Sequence, residues 1–194
     1  MAVENRKQII LQSLVSLLEE RNLSKVTTAL LAEKSDISEA ALYKHFPSKR
    51  SIYLELFSFC DETISSKCAE YKKNKSFDKN DSKNLFMFCI LFIEKNKGFA
   101  RLLSREALSA NEQNVVDATN QFYERLELNF KQLLNKNAKA LVTQPGVSSQ
   151  LIVTTFEGTI SRYIRSKFKE KPSQYIENIW TVSYTHLRAH ETSE

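Results

Sequence analysis

The sequence predicts an all-α fold, and three observations carry that prediction. The 194-residue chain holds only three glycines and three prolines. Leu, Ile, Lys, Glu and Asn are abundant and alternating β-branched runs are few, the composition of helices rather than strands. No Gly- or Pro-rich linker separates two halves, so one compact helical body is expected.

The first helix is expected from about Asn5 to Glu20, with Ile10, Leu14, Leu17 and Leu18 at helical spacing on a core-facing stripe. The stretch TTALLAEKSDISEAALYKHFPSK, Thr27 to Lys49, then reads as two short helices joined by a tight turn. Thr27 and Thr28 stand where a hydroxyl caps the first of them, which ends near Ser35. Asp36 falls at a turn position that favours a left-handed backbone, Ile37 points to the core, and Ser38 caps the second helix. Ala41, Leu42 and Phe46 face inward, while Ser38, Glu39, Ala40, Tyr43 and Lys44 stay outside. Pro47 stops the helix, because the residue before a proline resists helical backbone angles.

A helix this short enters a major groove end-on. Its small N-terminal residues then lie near base edges, with Tyr43, Lys44, His45 and Lys49 toward the phosphates. The expected DNA-binding residues are Thr27, Thr28, Ser38, Glu39, Ala40, Tyr43, Lys44, His45 and Lys49, and Arg6 and Lys7 at the start of the first helix could lie against the DNA backbone. Any αα-hairpin shares the bare pattern, and an exposed Lys or Tyr is often only a solvated face. The surplus of 28 Lys and Arg over 23 Asp and Glu, a net charge of +5, suits a polyanionic partner without requiring one.

This stretch, with the preceding Ile10–Leu11, Gln12, Ser13 and Leu14, resembles the N-terminal domain of TetR-like regulators. It departs from them at Asp36, where the family often has glycine. The resemblance implies a helix-turn-helix head, residues 1–50, on a helical dimerisation and regulatory body, residues 51–182.

In the body, a fourth helix is expected from Ser48 to about Lys73 with Ile52, Leu56, Phe59 and Thr63 on one face, followed by a surface loop from Ser76 to Lys83. LFMFCILFI, Leu85 to Ile93, is apolar on every side and predicts a buried fifth helix, in which Phe86, Phe88 and Phe92 either fill the core or line a ligand pocket. A sixth helix is expected from Phe99 to about Ala110, a seventh from Glu112 to about Asn137 with Val115, Phe122, Leu126 and Phe130 inward, and a loop from Lys139 to Ser149 around Pro145 and Gly146.

The eighth helix, from about Ser148, carries a wide apolar stripe. It is either an internal core helix or a subunit interface. In the second case Leu151, Ile152, Phe156, Ile160, Tyr163 and Ile164 meet their copies across a dyad, with Tyr175, Ile176, Ile179 and Trp180 of a ninth helix completing the contact. A dimer suits the head, since two recognition helices related by a dyad read a palindrome.

Cys60, Cys68 and Cys89 are odd in number and lack C-x-x-C spacing, as expected of free thiols in a reducing compartment. No segment reads as a signal peptide, Leu85 to Ile93 is too short to span a membrane, and a cytoplasmic location is expected. From Ser183 onward SYTHLRAHETSE loses the periodicity and resembles vector-derived read-through; residues 183–194 are therefore set aside, and His186 and His190 are not read as a metal pair. The chain shows no Gly-rich phosphate loop, no G-x-S-x-G elbow and no spaced His or carboxylate set, so neither an enzyme, a cofactor nor a metal is expected.

Three body segments extend the resemblance: EKNKGFARLLSREAL from Glu94, NQFYERLELNFKQLL from Asn120 and FEGTISRYIRSKFKEKPS from Phe156 look like the nucleoid occlusion branch of the TetR-like family. That branch implies a dimeric, nucleoid-associated protein that binds palindromic double-stranded DNA as one dimer or more per site. When DNA-bound, it antagonises polymerisation of the tubulin-like division protein FtsZ. The positions matching its FtsZ contact are Phe59, Lys67, Lys95 and Asn96, unless Phe59 is core and the lysines only solvate the surface. A ligand-responsive transcriptional repressor would share the head and use the body as a small-molecule pocket.

Overall fold

The computed structural model describes residues 2–21, 23–73, 80–104, 113–136, 138, 141 and 143–185. Among them nine α-helices run in chain order: α1 (Ala2–Glu20), α2 (Thr28–Lys34), α3 (Glu39–His45), α4 (Lys49–Lys73), α5 (Asp81–Lys95), α6 (Lys97–Leu103), α7 (Gln113–Asn135), α8 (Pro145–Arg165) and α9 (Ile176–Thr185). They fall into two compact units rather than the single body expected, the first comprising residues 1–60 with 95–122 and the second 61–94 with 123–194. The whole 1–50 segment lies in the first unit.

The first unit is built on α1, whose Ile10, Leu14, Leu17 and Leu18 are all buried as the periodicity predicts. α1 packs against α2, α3 and α6. Its approach to α6 is unusually close: a Cβ placed on Gly98 would stand 2.2 Å from the Val15 carbonyl oxygen, so only a glycine fits there. α4 enters through a reciprocal cap, in which Ser51 N donates to Ser48 Oγ at 3.1 Å and Ser48 N donates to Ser51 Oγ at 3.2 Å. Its buried stripe in this unit is Ile52, Tyr53, Leu56, Phe57 and Cys60. Phe59, grouped in the sequence with Ile52 and Leu56 on one face, is 53% exposed, because the 3.6-residue period carries the inward row through Cys60.

The second unit joins the rest of α4 to α7 by a ladder of polar contacts. Arg125 pairs with Asp61 at 2.9 Å, Asn129 Nδ2 donates to Ser65 Oγ at 3.2 Å, and Lys136 Nζ donates to the carbonyls of Tyr71 and Lys72, closing the α4 C-terminus. α5 begins at Asp81, inside the expected loop, and it is not buried all round. Leu85, Phe86, Cys89, Ile90 and Ile93 face the core, whereas Leu91 is 43% exposed and Phe88 and Phe92 are half-buried and stacked on each other. Phe86 packs between Phe130, edge-on at 6.5 Å, and Trp180 at 5.2 Å. Burial raises the Cys68 and Cys89 thiols above the ordinary cysteine range, and all three cysteines are buried and outside any disulfide.

Two helix starts differ from expectation. α8 starts at Pro145, not near Ser148, because proline lacks the N–H that the first helical turn leaves unpaired and so suits the opening position. α6 starts at Lys97, since Gly98 is wanted against Val15 rather than as a break. Before α9 a 3-10 turn, Pro172–Gln174, is tied down by Glu94, whose carboxylate accepts from Ser173 N and Ser173 Oγ at 3.0 Å each. The second half of the expected sixth helix, Lys139, and the tail with His186 and His190 lie outside the described residues. Among the described residues no helix is long and apolar enough to cross a membrane.

Candidate nucleic-acid interface

The hairpin of α2 and α3 is shaped by its own side chains. Thr27 caps α2, its Oγ1 accepting from Leu30 N at 3.1 Å, and Ser38 caps α3, its Oγ accepting from Ala41 N at 3.2 Å. Between them Asp36 takes φ 53°, the left-handed backbone anticipated at the turn. Leu31, Ala32, Leu42 and Phe46 are buried, with Ile37 and Ala41 half-buried beside them.

This packing turns the remaining side chains outward. Thr27, Ser38, Glu39, Ala40 and Lys44 are exposed, Tyr43 is 47% exposed, and Thr28, His45 and Lys49 are half-buried. All nine expected DNA-facing residues thus keep solvent access and lie in the first unit. Because Thr27 and Ser38 spend an oxygen lone pair on the helix N-terminus, each keeps its hydroxyl proton for an acceptor such as phosphate. Two cations lean on rings, Lys49 over Tyr53 at 5.6 Å and Lys7 over Phe46 at 5.3 Å, which stations their charge beside α3 and α4.

One interaction was not legible in the sequence. Thr28 Oγ1 donates to Glu39 Oε2 at 2.8 Å, and Tyr43 OH lies at a long 3.5 Å from Thr28 Oγ1. The partners are eleven residues apart, so the contact depends on the angle between two helices, which no spacing rule supplies.

Of the positions expected to meet a protein partner, Phe59, Lys95 and Asn96 belong to the first unit and Lys67 to the second. Phe59 is half in solvent and lies parallel to Phe99 at 6.0 Å, and Lys95 is exposed. Asn96 is half-buried at the start of α6, its carbonyl accepting from Phe99 N at 2.9 Å. Lys67 donates to Glu70 at 2.7 Å and sits over the Tyr71 ring at 5.1 Å, and the Glu70 hydrogen bond raises its pKa.

Of the residues expected at a dimer contact, Ile152, Phe156, Ile160, Tyr163, Ile164, Ile176 and Trp180 are buried within the chain itself. Tyr163 OH donates to the Glu94 carbonyl at 3.3 Å and Trp180 packs on Phe86, contacts of an internal core. Leu151 is 40% exposed, and Tyr175 and Ile179 are half-buried. The outward row of α8 is instead Val147, Leu151, Thr154, Gly158 and Arg162, with open space beside Gly158.

Residues 10–56 match the family of bacterial regulatory proteins, tetR family, and residues 80–188 match the tetracyclin repressor-like, C-terminal domain of the SlmA-like type. The chain is 32% identical over 180 residues to the nucleoid occlusion factor SlmA of Shewanella woodyi, covering 91% of each protein. It is also 32% identical over 183 residues to that of Photobacterium profundum, covering 92% of this chain and 93% of the relative. Among solved structures, the fatty acid degradation regulator FadR from Bacillus halodurans matches with a TM-score of 0.80 at 12% identity, over 97% of both chains. NalD, the secondary repressor of the MexAB-OprM multidrug efflux pump in Pseudomonas aeruginosa, matches with 0.76 at 16% identity over 96% of this chain and 99% of its own. These two likenesses concern the fold alone.

Proposed function

The chain belongs to the TetR family of bacterial regulatory proteins, and we propose that it is a nucleoid occlusion factor: a cytoplasmic, nucleoid-associated homodimer that binds palindromic duplex DNA through α2 and α3 and, when DNA-bound, antagonises FtsZ polymerisation. The observation that carries this reading is the 32% identity to nucleoid occlusion factors over 91% of the chain, body included. The outward polar row of the head supports the DNA half, since hydroxyls, Lys44 and Lys49 provide the donors and charge that phosphates require. In this reading the dyad runs along the outward row of α8, supported by the exposure of Val147, Leu151, Thr154 and Gly158 and of Val182 of α9, which is 61% exposed. FtsZ is assigned to Phe59, Lys67, Lys95 and Asn96, the positions carried by the family resemblance, which include an aromatic and two cations of the kind an acidic, flexible segment takes up.

The test is sedimentation of FtsZ polymers with this protein, with and without duplex DNA. Fewer polymers are expected only when protein and duplex are both present, and Lys67→Glu with Lys95→Glu should remove that effect while leaving DNA binding intact. Polymers that sediment unchanged in every mixture would refute the FtsZ assignment. In that case the ligand-responsive repressor becomes the better reading.

A further inference from the structure

We propose that Glu39 is a specificity-determining residue of the DNA-reading head, held in the free protein by Thr28 and released only to a base that offers an amino donor. The inference rests on the DNA-binding reading above and adds the class of base recognised. Thr28 is the first residue of α2 and Glu39 the first of α3, and the 2.8 Å bond from Thr28 Oγ1 to Glu39 Oε2 ties the two helix starts together at the surface expected to meet DNA.

A threonine hydroxyl carries one proton. While that proton sits on Glu39, Thr28 has none to give a phosphate, and the Tyr43 hydroxyl, 3.5 Å from Thr28 Oγ1, is turned toward the same oxygen. A carboxylate is an acceptor only. Glu39 is the sole acidic side chain among the nine residues assigned to DNA, and it is exposed. Set free beside a polyanion it is unfavourable unless a donor replaces Thr28. The major groove supplies that donor as an exocyclic amino group, the N4 amine of cytosine being the usual partner of a glutamate. A site with cytosine in reach accepts the carboxylate and frees the Thr28 proton for phosphate. A site without it leaves Glu39 either holding Thr28 back or unpaired against the backbone. Thr28 thus positions Glu39 in the free protein and meets phosphate itself once released.

The experiment selects duplexes from a random pool with the wild-type protein. It then measures affinity for the selected and a scrambled duplex with wild type, Glu39→Ala, Thr28→Val and the double variant, folding being checked by circular dichroism. Glu39→Ala is expected to bind the scrambled duplex more tightly and to lower the selected-to-scrambled ratio about tenfold. Its own selected pool should lose a cytosine preference at one position of each half-site. In the Thr28→Val background the gain on scrambled duplex should shrink, because the latch is already absent. Additive effects of the two substitutions, or a Glu39→Ala pool with unchanged base preferences, would overturn this inference alone. Wild type that retains no duplex at all would overturn the DNA-binding reading as well.

Discussion

α3 and α8 each keep one row of side chains in solvent, but the chemistry of that row differs. On α3 it is charged, hydroxylic and aromatic, Ser38, Glu39, Tyr43 and Lys44, over a core edge of Leu42 and Phe46. On α8 it is mostly small and weakly apolar, Val147, Leu151, Thr154 and Gly158, ending on Arg162, over a core row of Ile152, Phe156, Ile160 and Tyr163. A helix that is apolar most of the way round does not advertise which side is free, and its largest residues go where burial is most complete. The difference teaches that the strongest hydrophobic row of such a helix goes to the chain's own core, and that the side left in solvent is the weaker one.

The comparison breaks most visibly at Phe156, which is fully buried. Phe156→Ala should cost about 3–5 kcal/mol, read as a large fall in the thermal midpoint. Leu151→Glu, on the outward row, should leave the midpoint nearly in place and halve the mass seen by light scattering. Equal stability of wild type and Phe156→Ala would place that ring outside the core. A dimer surviving Leu151→Glu would move the dyad off this row.

A smaller effect is expected on the α3 side. Lys44→Ala with Lys49→Ala should flatten the dependence of log affinity on log salt by about one unit per lost phosphate contact. Because Lys49 also leans on Tyr53, Lys44→Ala alone should carry at least its full unit. Gel shifts across a salt series decide it, and an unchanged slope would detach these lysines from the interface.

The smallest difference lies in the caps. Ser38 makes a capping hydrogen bond for α3, whereas Gln144 at the start of α8 makes none through its side chain. Ser38→Ala should therefore cost about 1 kcal/mol and Gln144→Ala under about 0.5 kcal/mol in urea unfolding. Equal costs would mean that the head is held by its apolar side chains alone.

Much of the head was legible because its signals are local. The Thr27 and Ser38 caps, the left-handed Asp36 and the stop at Pro47 are each decided within a few residues. The inward rows of α1 and α7 followed from a clear 3.6-residue period, as Leu14 and Phe122 illustrate. The exposure of Leu91 was missed because the run LFMFCILFI contains no polar residue to mark a free side. The Thr28–Glu39 bond and the Gly98–Val15 approach stayed out of reach, since both depend on how separate helices meet.

The Gly98 contact has a mechanical meaning. With the Val15 carbonyl oxygen 2.2 Å and Val15 Cγ1 2.8 Å from where a Cβ would stand, α1 rests on the bare backbone of α6, which has no side chain of its own at Gly98 to bend or change rotamer. Side chains act as springs at most helix crossings; here one of the two is missing. A push on α6 is handed to α1 at nearly full stroke, and α1 in turn packs on α2 and α3.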